Sequence, residues 1–97
     1  MKPTHFVVHS PGPTWKPDVP VFEQEGLRLR VAHDATFLAQ GKLVTGGPFL
    51  DAGSGGMMIA AAPVEQQELR SFATANPAVG SGLLPFEVRP WLVGMRA

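Results

Sequence analysis

The sequence predicts an α+β fold of the ferredoxin-like kind, βαββαβ, with two helices covering one face of a four-stranded antiparallel sheet. Four short apolar or alternating segments, around residues 5–9, 42–47, 56–62 and 83–93, have strand character. Two stretches read as helices: 23–40, closed by Gly41, and the one opened by Pro63 and stopped at Asn76-Pro77. A length of 97 residues allows one small domain, taken as 1–97.

Each element follows in order. HFVVH at 5–9 is rich in β-branched and aromatic residues, and SPGPTWKPDVP at 10–20, with its prolines and glycine, reads as a loop. In the first helix Leu27, Val31, Ala35 and Leu38 form one apolar stripe. Phe22, Leu29, His33 and Phe37 form another, so the helix is expected to touch two neighbours. Arg28, Arg30 and Arg70 read as solvated helix charges. KLVTGG at 42–47 and GMMIAAA at 56–62 are the second and third strands. Pro63 suits the first turn of the second helix, Glu65 and Glu68 lie near its positive end, and Leu69, Phe72 and Ala73 give its buried face. The last strand alternates Leu84, Phe86, Val88 and Leu92 against Glu87, Arg89 and Trp91, and Pro85 and Pro90 place it at an edge or a bulge. The third strand is apolar on both sides, which leaves a second apolar sheet face. Such a face marks an interface, so a homodimer packed sheet to sheet is expected.

Composition narrows the function classes. Hydrophobic residues make up 44% of the chain and charged ones 16%, as in a globular protein. Lys+Arg and Asp+Glu balance at 8 each, so neither a nucleic-acid footprint nor a membrane-binding charge run is expected. The lack of cysteine removes disulfides, thiolate zinc sites and thiol nucleophiles. MKPTHFVVHSPGP lacks a signal-peptide core and no segment approaches bilayer length, so a soluble, cytoplasmic protein is the expectation. The segment TGGPFLDAGSGGMMI at 45–59 is rich in glycine, but no Lys-Ser/Thr pair follows the glycines, and a strand follows where a phosphate loop requires a helix. No other cofactor motif occurs, and no cofactor is expected.

Several stretches taken together resemble the YciI-like (YCII-related) family: HSPGPTW at 9–15, Gln24, His33, GKLVTGGPFLD at 41–51, GGMMI at 55–59, NPAVGSGLL at 76–84 and EVRPW at 87–91. The resemblance runs over almost the whole chain and keeps order and spacing. It implies a dimeric α+β barrel of ferredoxin-like protomers. It also implies a His–Asp pair in a pocket like that of muconolactone-isomerase-like proteins, which falls here on His33 and Asp51. A dehydrochlorinase is among the family's few members of known activity. Asn76 stands where many such sequences have Asp, at a helix-ending position.

By position alone His33 reads as a core histidine; the resemblance makes it a general acid or base, a role imidazole can fill near neutral pH. Asp51 reads either as a turn-former or as the carboxylate that orients His33. Gly46, Gly47, Gly53, Gly55 and Gly56 let the connection bend and let a ligand approach closely. His9, Ser10 and Trp15 are expected at the mouth of a small-molecule pocket, together with Gly47, Pro48 and Phe49. Gln24 is a surface residue that only the resemblance raises to a pocket contact. His5 is expected to be exposed. His5, His9 and His33 with Asp51 invite a metal, but the local spacings of metal motifs are missing and none is expected. The leading expectation is a cofactor-independent enzyme doing proton transfer at carbon, an isomerase or a dehydrochlorinase-like lyase. The alternatives are a non-catalytic dimeric module that binds a small molecule or regulates a partner, and a structural assembly module.

Overall fold

The structure, a computed structural model, describes residues 3–51 and 54–97; Gly53 of the glycine segment lies outside the described residues. Four strands, β1 (Thr4–His9), β2 (Leu43–Pro48), β3 (Gly56–Ala60) and β4 (Phe86–Trp91), form one sheet in the order β2-β3-β1-β4. Every pairing is antiparallel. The helices are α1 (Leu27–Ala39), α2 (Gln66–Thr74) and the short α3 (Pro77–Gly80). The fold is the α+β, ferredoxin-like arrangement read from the sequence.

The period of two along β1 divides the sheet. His5, Val7 and His9 are buried, while Phe6 and Val8 alternate with them on the other side. The register puts Met58 and Val88 opposite Val7, so these share the first face. Phe37 of α1 and Leu69 and Ala73 of α2 close over it in one core cluster with Val7, Met58, Ala60 and Val88. A second cluster, Leu27, Ala78, Leu83 and Leu84 with Trp15 and Val21 against it, seals the other end. Phe6, Val8, Met57, Ile59 and Trp91 occupy the second face, where Phe6 and Trp91 meet edge to face at 5.9 Å.

Three elements differ from the sequence reading. The first helix begins at Leu27 rather than Glu23, because Gly26 takes a left-handed conformation (φ +89°) after a 3-10 turn at Val21–Glu23. Pro63 precedes the second helix, which opens at Gln66. Asn76 ends one helix and starts another: its side-chain oxygen accepts the Ala78 N–H at 2.9 Å, with Pro77 at the first position of α3. The apolar stripes of α1 also differ. Leu27, Arg30 and Phe37 are buried, whereas Leu29, Val31 and Leu38 are more than half exposed.

The turn into β3 is fixed by close approach. A Cβ on Gly55 would stand 2.1 Å from the His9 carbonyl oxygen, and its φ of +85° suits only glycine. Gly55→Ala is expected to destabilise the fold by about 2 kcal/mol or more, which for a domain of this size lowers Tm by roughly 8 °C or more. Calorimetry of the variant beside the wild type measures it.

Candidate functional site

Residues 27, 30, 34 and 37 follow a 3-4-3 spacing, which puts them on one side of α1. Leu27 and Phe37 anchor that side in the two core clusters. Arg30 and Asp34 are carried inward with them. Arg30 is 5% exposed, and its Nε lies 3.5 Å from Asp34 Oδ2, one helical turn away. This corrects the reading of Arg30 as a solvated charge. The contact is an ion pair but too long for a good hydrogen bond. Arg30 Nε and Asp34 Oδ1 are shut off from water and have no hydrogen-bond partner among the described residues.

Arg30 and Asp34 line a cavity of about 290 Å³ between α1 and β2. Val31, Leu38, Leu43 and Met58 supply apolar wall, and Gly46, Gly47 and Pro48 form the side opposite the helix. Gly46 pairs with Met58 in register, so a side chain there would enter the same layer; its absence helps keep the space open. Burial in these surroundings raises the Asp34 pKa above the ordinary carboxylate value, with Arg30 and His33 opposing the rise. Its carboxylate is therefore a stronger base than an exposed one.

The residues singled out from the sequence are divided between environments. Gly47 and Pro48 line the α1–β2 cavity. Trp15, Phe49 and Asp51 come together around a second cavity of about 450 Å³, beside Pro20 and Val21. His33 lines neither of these. Its Nε2–H donates to the Phe72 carbonyl at 2.7 Å, and its ring stacks on Phe72 at 4.1 Å, which in turn stacks on Phe37 at 3.7 Å. This three-ring stack clasps α1 to α2.

His9 is 2% exposed, and its Nδ1–H donates to the Leu84 carbonyl at 2.9 Å. Burial lowers its pKa below the usual 6.5; the carbonyls of Leu84 and Pro85 oppose the shift, and the positive charge of Arg30 adds to it. Ser10 is exposed, and its backbone N–H donates to the Pro85 carbonyl. Gln24 is buried, not a surface helix residue. Its side-chain oxygen accepts the Lys16 N–H, and its NH₂ donates to the Lys16 and Val19 carbonyls at 2.7 and 2.8 Å. These contacts pin the proline-rich loop and occupy both N–H donors of the amide. His5, expected to be exposed, is 7% exposed on the core face of β1.

Sequence reasoning passed over Arg30 and Asp34. The available signal was the opposite-charge pair at i, i+4 inside the 27-30-34-37 spacing, since residues that share a side with Leu27 and Phe37 share their burial. No helix among the described residues is long and apolar enough to cross a membrane. No protein-family model matches the chain, and no curated protein matches it.

Two measurements check this geometry. His33→Ala removes a hydrogen bond and a ring stack and is expected to cost about 1–3 kcal/mol of stability, read by urea denaturation. His9, with its folded-state pKa lowered, stays neutral where the unfolded chain takes up a proton. Its contribution is thus complete above about pH 6.5 and is lost as pH falls through the folded-state pKa. Wild-type stability should fall between pH 7 and pH 5, and His9→Gln, which cannot be protonated, should flatten that part of the profile.

Proposed function

We propose that the chain is a YciI-like homodimer that moves a proton at carbon on a small organic molecule, working in the cavity between α1 and β2. The observation that carries this reading is a largely buried carboxylate, Asp34, set beside a buried guanidinium, Arg30, against apolar walls. A carboxyl whose pKa is raised by burial is a better base and a better proton donor near neutral pH. A buried guanidinium at the wall of a site stabilises negative charge that develops on an oxygen.

The chemistry follows from the two groups. Asp34 takes the proton from a carbon next to a carbonyl. The C–H electron pair becomes the new C=C bond, and the carbonyl π pair moves onto oxygen, where Arg30 holds it. Where a β,γ double bond is conjugated with the enolate, the oxygen pair re-forms the carbonyl and the enolate π pair becomes a Cα=Cβ bond. Return of the proton to the γ carbon, on the former β,γ π pair, gives isomerisation. Where the β carbon carries a leaving group, the oxygen pair re-forms the carbonyl, the enolate π pair forms the Cα=Cβ bond, and the group departs with its bonding pair, as chloride in a dehydrochlorination. In the competing assignment His33 is the base and Asp51 orients it. The His33 hydrogen bond to Phe72 and the placement of Asp51 in the second cavity support giving the role to Asp34.

Dimerisation through the second sheet face is supported by its apolar row, in which Phe6, Val8, Met57 and Ile59 are half-buried and Trp91 is exposed. Ile59→Glu, in the middle of the face, is expected to convert a dimer into a monomer in sedimentation equilibrium.

The catalytic reading is tested with a panel of enolisable carbonyl compounds and small chlorinated organics. Proton exchange at carbon in D₂O is followed by NMR, and chloride release by ion electrode. Asp34→Asn is expected to lower the rate by about 10²–10⁴-fold, with His33→Ala close to wild type once its fraction folded is matched. Loss of activity in His33→Ala and Asp51→Asn, with Asp34→Asn active, would give the role back to the His–Asp pair. No turnover of any compound would leave the binding module as the working description.

A further inference from the structure

We infer that the cavity between α1 and β2 selects an uncharged carbonyl compound with an apolar body, its oxygen received by Arg30 and its acidic hydrogen facing Asp34, and discriminates against carboxylates of the same size. This rests on the reading of that cavity as the working site and adds the class of substrate.

Three observations lead there. Arg30 Nε carries a hydrogen and Asp34 Oδ1 carries lone pairs, and neither has a partner among the described residues. Both residues line the cavity, and with Nε only 3.5 Å from the other oxygen of Asp34 a guanidinium and a carboxylate stand side by side in its wall. The polar fragment that complements them has an acceptor next to a donor. A carbonyl beside an acidic C–H, or the O–H of its enol, is such a fragment.

Charge decides against an anion. Arg30 and Asp34 are the charged residues that line the cavity, one of each sign. The guanidinium already has a carboxylate one helical turn away, so a carboxylate ligand would place a second negative charge beside the first with one cation between them. Like charges within a few ångströms of one another repel, and the single guanidinium cannot neutralise both. The rest of the lining points the same way: Val31, Ala35, Leu38, Leu43, Pro48 and Met58 are apolar and offer an anion no side-chain donor. The volume, about 290 Å³, suits a small ring or a branched chain.

The test compares acetophenone with benzoate, two molecules of one shape that differ in charge, by ¹⁵N NMR titration of the 97-residue chain at pH 7.5. Acetophenone should shift the amide signals of Gly46 and Gly47 and the Arg30 Nε–H signal, and bind wild type at least about tenfold more tightly than benzoate. Arg30→Met should weaken acetophenone about tenfold or more, the scale of a lost charged hydrogen bond. Asp34→Asn frees the guanidinium from its own carboxylate and should reverse the preference in favour of benzoate. Should Asp34→Asn not fold, the wild-type comparison and Arg30→Met still decide. Benzoate binding wild type as tightly as acetophenone overturns the inference, as does binding of neither. Acetophenone bound selectively at Gly46 and Gly47, with no exchange of its methyl protons in D₂O, would leave the inference standing and remove the proton-transfer reading.

Discussion

The fold depends on β1, one of the two central strands of the sheet, with β3 on one side and β4 on the other. Val7 faces Met58 on one neighbour and Val88 on the other, so a slip of one residue would turn its whole set of inward side chains outward. The pairing continues past the end of the strand. Ser10, Gly12 and Thr14 donate their backbone N–H groups to the carbonyls of Pro85, Leu83 and Gly82. Leu83 and Leu84 in turn both donate to the Ala78 carbonyl at the end of the domain closed by α3. The proline-rich loop is thereby an ordered extension of the β1–β4 ladder, and Gln24 fixes its far side. Because β1 also carries His5 and His9 inward, the core receives polar rings that need partners; the Leu84 carbonyl meets that need for His9.

The strands were legible because their signals are local. Alternation in β4 and the double-sided apolar character of β3 survive in the structure, and the β2-β3-β1-β4 order follows from the element order. Helix ends were less legible because they depend on backbone conformation. Nothing in EQEG announces that Gly26 turns left-handed, and Asn76-Pro77 reads as a stop unless the segment after it is known to be long enough for one more turn. The buried side of α1 was the hardest case. Leu29, Val31 and Leu38 are apolar and exposed, so hydrophobicity alone picks the wrong stripe. The correct side contains two charged residues, which periodicity arguments discount.

The candidate site was legible in part for the same reason. The sequence drew attention to the Gly-Gly-Pro turn, and Gly47 and Pro48 do line the α1–β2 cavity. It also put weight on His33, one residue away from the side of α1 that enters that cavity. On a helix one residue is a rotation of about 100°. That rotation separates a ring packed against α2 from the carboxylate that faces β2.

Comparison of buried polar residues sets the Arg30–Asp34 pair, together with His5 Nδ1, apart from those whose side chains are matched. Gln24 and Asn76 are as buried as Arg30, but their side chains meet backbone partners at 2.7–3.0 Å. These residues hold the fold together, and their geometry is tight. Arg30 and Asp34 meet at 3.5 Å and leave a donor and an acceptor unmatched. Each unmatched buried group costs about 1–3 kcal/mol, and a buried ion pair is often no more stabilising than apolar residues of the same volume. A leucine and a methionine at 30 and 34 would complete the stripe between Leu27 and Phe37 at no such cost. On the proposed reading, a pair of imperfect geometry beside an open cavity is accounted for by what would enter the cavity rather than by the fold that surrounds it.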